Sequence, residues 1–190
     1  MTHRPRLLGL SGSIRRDSGN TAILRSLGEA LSNRAEFSIF PLNDIPPYDQ
    51  DADTDTPPPA VQALRDAIAQ ADGVIIASPE YNHGMSGVLK NALDWASRPY
   101  AKSALIDKPV LTLTSSPAFT GGVRAQQQLN ETLHAITARV VLRPQTVIGA
   151  IHEKVEGGRL TDAATLDFLV QAADHLLRDV GACETLKAAA

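Results

Sequence analysis

Three polar stretches of this chain carry residue types able to hold and position a ligand. The most varied is Ser78-Pro79-Glu80-Tyr81-Asn82-His83-Gly84-Met85-Ser86-Gly87, with one carboxylate, one phenol, one amide, one imidazole and two glycines. Such a set suits the placing of backbone groups and a few polar side chains around a flat ligand. An earlier stretch offers Ser11, Ser13, Ser18, Asn20 and Thr21 as neutral donors beside Arg15 and Arg16, and it runs into a helical pattern. Hydroxyls, backbone N–H groups and the positive end of a helix dipole are what a phosphate needs. A plain polar turn before a capped helix uses the same residues, so this stretch alone leaves both readings open. The third stretch, Ser115-Ser116-Pro117-Ala118-Phe119-Thr120-Gly121-Gly122, opens another helix. Its glycines let backbone approach a ring edge, and the first helical amides would face negative charge developing there.

The chemistry is narrowed by what is missing. There is no G-x-x-x-x-G-K-[ST] pattern, which argues against a nucleotide kinase or ATPase. Gly9 and Gly12 are spaced wrongly for the G-x-G-x-x-G dinucleotide turn. A mononucleotide phosphate held mainly by hydroxyls fits better. Cys183 is the only cysteine, so the sequence predicts no internal disulfide and no cysteine metal cluster. His134, His152 and His175 lack metal-ligand spacing and receive no role, and no metal is expected. A net charge of −3 gives no reason to expect nucleic acid or an anionic membrane as partner. No apolar run approaches the ~20 residues of a membrane span. The N-terminal apolar run is too short for a signal peptide core. The expectation is a cytoplasmic protein with a single domain over residues 1–190.

The three stretches must be placed by elements around them. Arg6 to Leu10 reads as a buried strand, and Ile23, Leu24, Leu27 and Leu31 mark a helix with Ser18 as its N-cap. Glu36–Phe40 alternates as a second strand. Pro41 to Pro59, with six prolines and five aspartates, reads as a long surface loop. A helix with Val61, Leu64, Ile68 and Ala71 on its buried face leads to a third strand, Gly73–Ala77. Val88 to Ala96 is helical, 109–114 a fourth strand, and Ala125 to Ile136 helical. Ala138–Leu142, extended by 146–148, supplies the fifth strand. Thr161 is expected to cap a last helix closed by Gly181. Strands and helices alternate, which implies a parallel sheet covered on both faces. In the flavodoxin-like strand order 2-1-3-4-5 the three polar stretches share one sheet edge, where open α/β sheets bind ligands.

At these residues the chain resembles the NAD(P)H-dependent FMN reductase family, whose relatives include quinone, azo and chromate reductases. Gly12-Ser13-Ile14-Arg15 with Ser18 and Asn20 is similar to its GSxRxxSxN phosphate loop. Pro79-Glu80-Tyr81-Asn82-His83-Gly84 followed by Gly87 to Trp95 resembles its PEYN…G-LKNAIDW segment. Gly121 to Gln126 resembles its third flavin-contacting loop. The resemblance implies a flavodoxin-like three-layer sandwich binding FMN, reduced by NADPH or NADH and passing two electrons to a quinone, flavin, azo compound or metal oxyanion. It implies that Ser13, Arg15, Ser18 and Asn20 hold the phosphate, with Ser11 and Thr21 beside them. Pro79, Glu80, Tyr81, Asn82 and Gly84 would border the isoalloxazine, and Ser115, Gly121 and Gly122 would meet its pyrimidine edge. It implies no catalytic side chain, because the flavin does the chemistry, and a homodimer or homotetramer. Ser86 stands where many relatives have proline, and is expected to loosen its loop. A flavodoxin-like one-electron carrier and a module that binds no flavin are the alternatives.

Single residues carry two readings each. Tyr81 stacks near the flavin or packs on the next helix. Glu80 tempts as a base, but a carboxylate there also pairs with a cation or holds the turn. His83 lies where a nicotinamide or substrate would approach, or is simply a solvated loop histidine. Arg124, in the first turn of its helix, opposes the macrodipole and so calls for a partner, an intramolecular acid or the extra phosphate of NADPH. Trp95 and Tyr100 suit a core or an interface between copies, and the resemblance favours the interface.

Overall fold

Predominantly apolar runs become the inner strands of the sheet. In the computed structural model, which describes residues 4–188, β1 is Arg6–Ser11, β2 is Glu36–Phe40, β3 is Gly73–Tyr81 and β4 is Pro109–Ser115. The fifth strand is split into β5 (Arg139–Val140) and β6 (Val147–Ile148), which pair with opposite ends of β4, and Pro144 lies in the interruption. The parallel order across the sheet is β2-β1-β3-β4-β5, as the sequence predicts. The helices are α1 (Gly19–Ala30), α2 (Pro59–Gln70), α3 (Gly87–Ala96), α4 (Val123–Ala135) and α5 (Ala163–Ala188). On one face, Ile23, Leu24 and Leu27 of α1 and Leu169 and Leu176 of α5 pack over the sheet. On the other, Leu64, Leu89, Leu93, Leu129 and Leu133 bring in α2, α3 and α4. This is a three-layer sandwich, and its polar strand ends emerge on one edge.

Several expectations are corrected. β3 does not stop at Ala77 but continues through Tyr81 and turns back: Glu80 pairs with Met85 and Tyr81 with Gly84. Asn82 (φ 50°) and His83 (φ 68°) form the tight turn, so much of the supposed loop is a β-hairpin. Ser86 does not loosen it. Its hydroxyl caps α3 by accepting from Leu89 N at 3.2 Å, and its own N–H donates to Ser78 Oγ at 3.4 Å. Ser18 caps α1 as expected, accepting from Thr21 N. At α5, Asp162 rather than Thr161 receives the amide of Thr165, at 2.9 Å, while the Thr161 hydroxyl donates to Lys154 O. Gly181 lies within α5 and does not close it. The Thr165 hydroxyl and amide, with the Lys154 ammonium, hold the Asp162 carboxyl below the usual carboxylate range. This contact therefore contributes above that range and is lost only as pH falls through the lowered value.

The stretch from Pro41 to Pro59 is tied down. Asn91 Oδ1 accepts from Tyr48 N at 2.7 Å, and Asn91 Nδ2 and Trp95 Nε1 both donate to Pro46 O at 2.8 Å. Tyr48 meets Trp95 edge-on at 4.9 Å, and Arg65 pairs with Asp53 at 2.7 Å. Trp95 is thus fully buried beneath a strap and is not an interface residue. Tyr100, by contrast, is 83% exposed.

Candidate functional site

The carboxyl ends of β1, β3 and β4 open into one cavity of about 630 Å³, inside the ~300–1,000 Å³ range of small-molecule sites. Ser13, Arg15, Ser18 and Asn20 line it from the first loop, Pro79, Glu80 and Tyr81 from the end of β3, and Ser115 from the end of β4. Gly19 and Asn20 begin α1, so first-turn amides without a helical partner point out at this end. No ion pair among the described residues involves Arg15, an exposed residue that lines the cavity. A cation, hydroxyls and a helix N-terminus make a donor set that fits a phosphate.

Other residues singled out in the sequence stand behind the wall. Ser11 Oγ and Thr21 Oγ1 lie 2.8 Å apart, and Ser11 Oγ also accepts from Ser13 N at 3.3 Å. These hydroxyls are spent on shaping the loop. In the wall itself, Asn20 Oδ1 accepts from Ser115 Oγ at 3.0 Å, joining the first and third stretches. Gly84 packs on Gln128, whose Oε1 accepts from Met85 N at 2.8 Å. Asn82 and His83 sit at the exposed hairpin tip, and neither lines the cavity, nor do Gly121, Gly122 and Arg124. At Gly121 (φ 64°) an added Cβ would collide with the backbone of Ile148.

Glu80 has a job that the sequence did not reveal. Its Oε2 accepts from the amides of Arg124 and Ala125 at 3.0 and 3.1 Å, and its Oε1 lies 3.7 Å from Arg124 Nη1. The carboxylate, 11% exposed, caps α4 from across the cavity edge. This corrects the expectation that the first amides of α4 stand free for a ligand. It also supplies the acid that Arg124 needs.

The remaining wall was not anticipated. Pro117, Ile151, His152, Val155, Gly157 and Gly158 complete the cavity. Most come from a helical turn, Ile151–Lys154, and a small hairpin, Val155–Glu156 with Arg159–Leu160. The only sequence signal there was the Gly157-Gly158 pair, a turn marker without chemistry.

Comparison with known proteins follows the same residues. The model of the NADPH-dependent FMN reductase family matches residues 5–153. A quinone reductase of Escherichia coli is 40% identical over 173 residues, covering 89% of this chain and 92% of its own length. An NAD(P)H-dependent FMN reductase of Pseudomonas aeruginosa is 35% identical, with 87% of this chain and 90% of its own covered. Among solved structures, the flavoenzyme NAD(P)H:(acceptor) oxidoreductase FerB of Paracoccus denitrificans superimposes with a TM-score of 0.84 at 31% identity. That match covers 93% of this chain and 97% of that one.

Proposed function

Because this chain belongs to the NADPH-dependent FMN reductase family, we propose that it binds FMN in the cavity, takes hydride from NADPH or NADH, and delivers two electrons to a small-molecule acceptor. The acceptor classes proposed are a quinone, free flavin, azo compound or metal oxyanion. The observation that carries this reading is the meeting of all three polar stretches around one cavity. When bound, FMN supplies the redox chemistry.

The protein's residues bind and orient. Ser13, Arg15 and the start of α1 hold the phosphate, with Ser18 and Asn20 fixing the loop behind them. Pro79 and Tyr81 border the ring, Tyr81 with its side chain exposed toward the approach of co-substrate. Glu80 is already engaged by two amides and a guanidinium, so it holds α4 and is not a base. Arg124 remains more than half exposed beside it and is a contact for NADPH, with His83 at the hairpin tip. Among the described residues no helix is long and apolar enough to cross a membrane, and we place the enzyme in the cytoplasm.

The purified protein should be yellow and should consume NADPH continuously when given a quinone. A colourless sample that stays so after incubation with FMN and removal of the excess would sink the proposal. Arg15→Ala should raise the FMN Kd roughly tenfold or more through loss of a charge-assisted phosphate contact, with an unchanged melting temperature. Fluorescence titration beside a thermal melt checks both. The working form is proposed as a homodimer or homotetramer, for which exposed Tyr100 and Phe119 supply aromatic surface. Sedimentation velocity at micromolar concentration should show no monomer.

A further inference from the structure

One wall of the cavity belongs to none of the three flavin motifs. It is the segment from Ile151 to Leu160, and it is fixed at several points. Ile151 N donates to Ser116 O at 3.2 Å, and Leu160 N to Ser26 Oγ at 2.9 Å. Lys154 Nζ reaches Asp162 Oδ1 at 3.2 Å and Thr165 Oγ1 at 2.9 Å, and Arg159 pairs with Glu29 on α1. The turn is made by Gly157 (φ 57°) and Gly158 (φ 75°).

The position of this wall along the cavity is set by Ile151. A Cβ on Gly19 would lie 2.7 Å from Ile151 Cγ1, so the wall stands directly against the first residue of α1. That is the phosphate end. His152 follows Ile151 and lines the same cavity as Ser13, Arg15 and Asp17. Its one ion-pair partner among the described residues is Glu153, at 3.5 Å, a neighbour on the same turn with a 71% exposed side chain. Lys154, the other cation of the segment, is turned away onto Asp162. Ile151 and Val155 offer only apolar contact. His152 is therefore the side chain of this wall able to donate to an anion in the cavity.

We propose that His152 is a ligand of the FMN phosphate, supplied by the segment that follows the sheet. The inference rests on the FMN reading above. An imidazole N–H donates to a phosphate oxygen in either protonation state, and with Arg15 it would flank the phosphate with two donors from unconnected parts of the chain. Its exposure limits the gain to that of a partly screened contact.

Riboflavin, which lacks the phosphate, separates this role from contact with the ring. Full-length protein stripped of flavin is titrated with FMN and with riboflavin, following flavin fluorescence, for wild type, His152→Ala and His152→Gln. Loss of the contact in His152→Ala should raise the FMN Kd roughly three- to tenfold and leave the riboflavin Kd unchanged. His152→Gln, which keeps a donor, should recover part of the loss. FMN affinity equal to wild type in His152→Ala, or equal losses for FMN and riboflavin, would overturn the assignment. A wild-type protein that binds riboflavin as tightly as FMN would do so too. Wild type that binds neither flavin would instead bring down the FMN reading, and this inference with it.

Discussion

Gly121→Ala is expected to lower the stability of the protein by about 3 kcal/mol and to abolish tight FMN binding. Two costs add. Gly121 sits at φ 64°, where a Cβ is strained, and that Cβ would lie 2.8 Å from Ile148 N and 2.9 Å from Ile148 C. These are backbone atoms of β6, and they cannot rotate away. Either the loop before α4 or β6 must move, and Ile148 O is the acceptor for Ser116 N in the cavity wall. Gly157→Ala is the control. It has positive φ as well, but nothing lies within 4 Å of the added Cβ. That variant should cost only about 1 kcal/mol. Urea denaturation of the pair checks the difference. Equal midpoints would show that the collision with β6 is relieved at no cost.

Glu80→Ala should cost about 2 kcal/mol, because two amides at the start of α4 lose a charged acceptor and Arg124 loses its partner. FMN affinity should fall about tenfold, since the end of β3 and the start of α4 are no longer held together; a tenfold change corresponds to about 1.4 kcal/mol. Glu80→Gln keeps a carbonyl for the amides but gives up the charge. It should retain FMN and most of the steady-state rate with NADPH and quinone. A hundredfold loss of kcat in Glu80→Gln with FMN still bound would place the carboxylate in the chemistry and remove the capping account.

The alternation of strands and helices was legible because it is written locally. Val74 to Ala77 is an apolar run, and Val110 to Leu113 is one broken only by Thr112; both lie between helical patterns, and a buried parallel strand needs little else. Ser18 as a cap was legible for the same reason, its partner lying three residues on. What failed to show in the sequence depends on distant partners or on conformations that composition disguises. Pro79 and Glu80 read as loop, yet β4 on one side and the returning Gly84–Met85 on the other keep them in strand. An Asn-Gly pair would have signalled the hairpin; Asn82-His83 did not. Glu80 caps a helix that begins over forty residues later, and Ile151 reaches Gly19 from the far end of the chain. Trp95 looked like an interface aromatic, because its hydrogen bond to Pro46 is invisible to helical periodicity. The polar loop after β1 and the strand ends that line the cavity could thus be found from residue types, whereas the fourth wall of the cavity could not.

Trp95 is the only tryptophan in the chain, and it lies dry between Tyr48 and Arg65 under the strap. The protein therefore carries a single tryptophan fluorophore, separable from its three tyrosines by selective excitation, at one known place. Its emission should be blue-shifted in the folded state and move red when the strap lifts from α3. Because the cavity is lined by other elements, that optical signal reports on the strap, while the flavin's own spectrum reports on the cradle. Read together in one denaturation, the two colours would tell whether strap and cradle melt as one cooperative unit or in sequence.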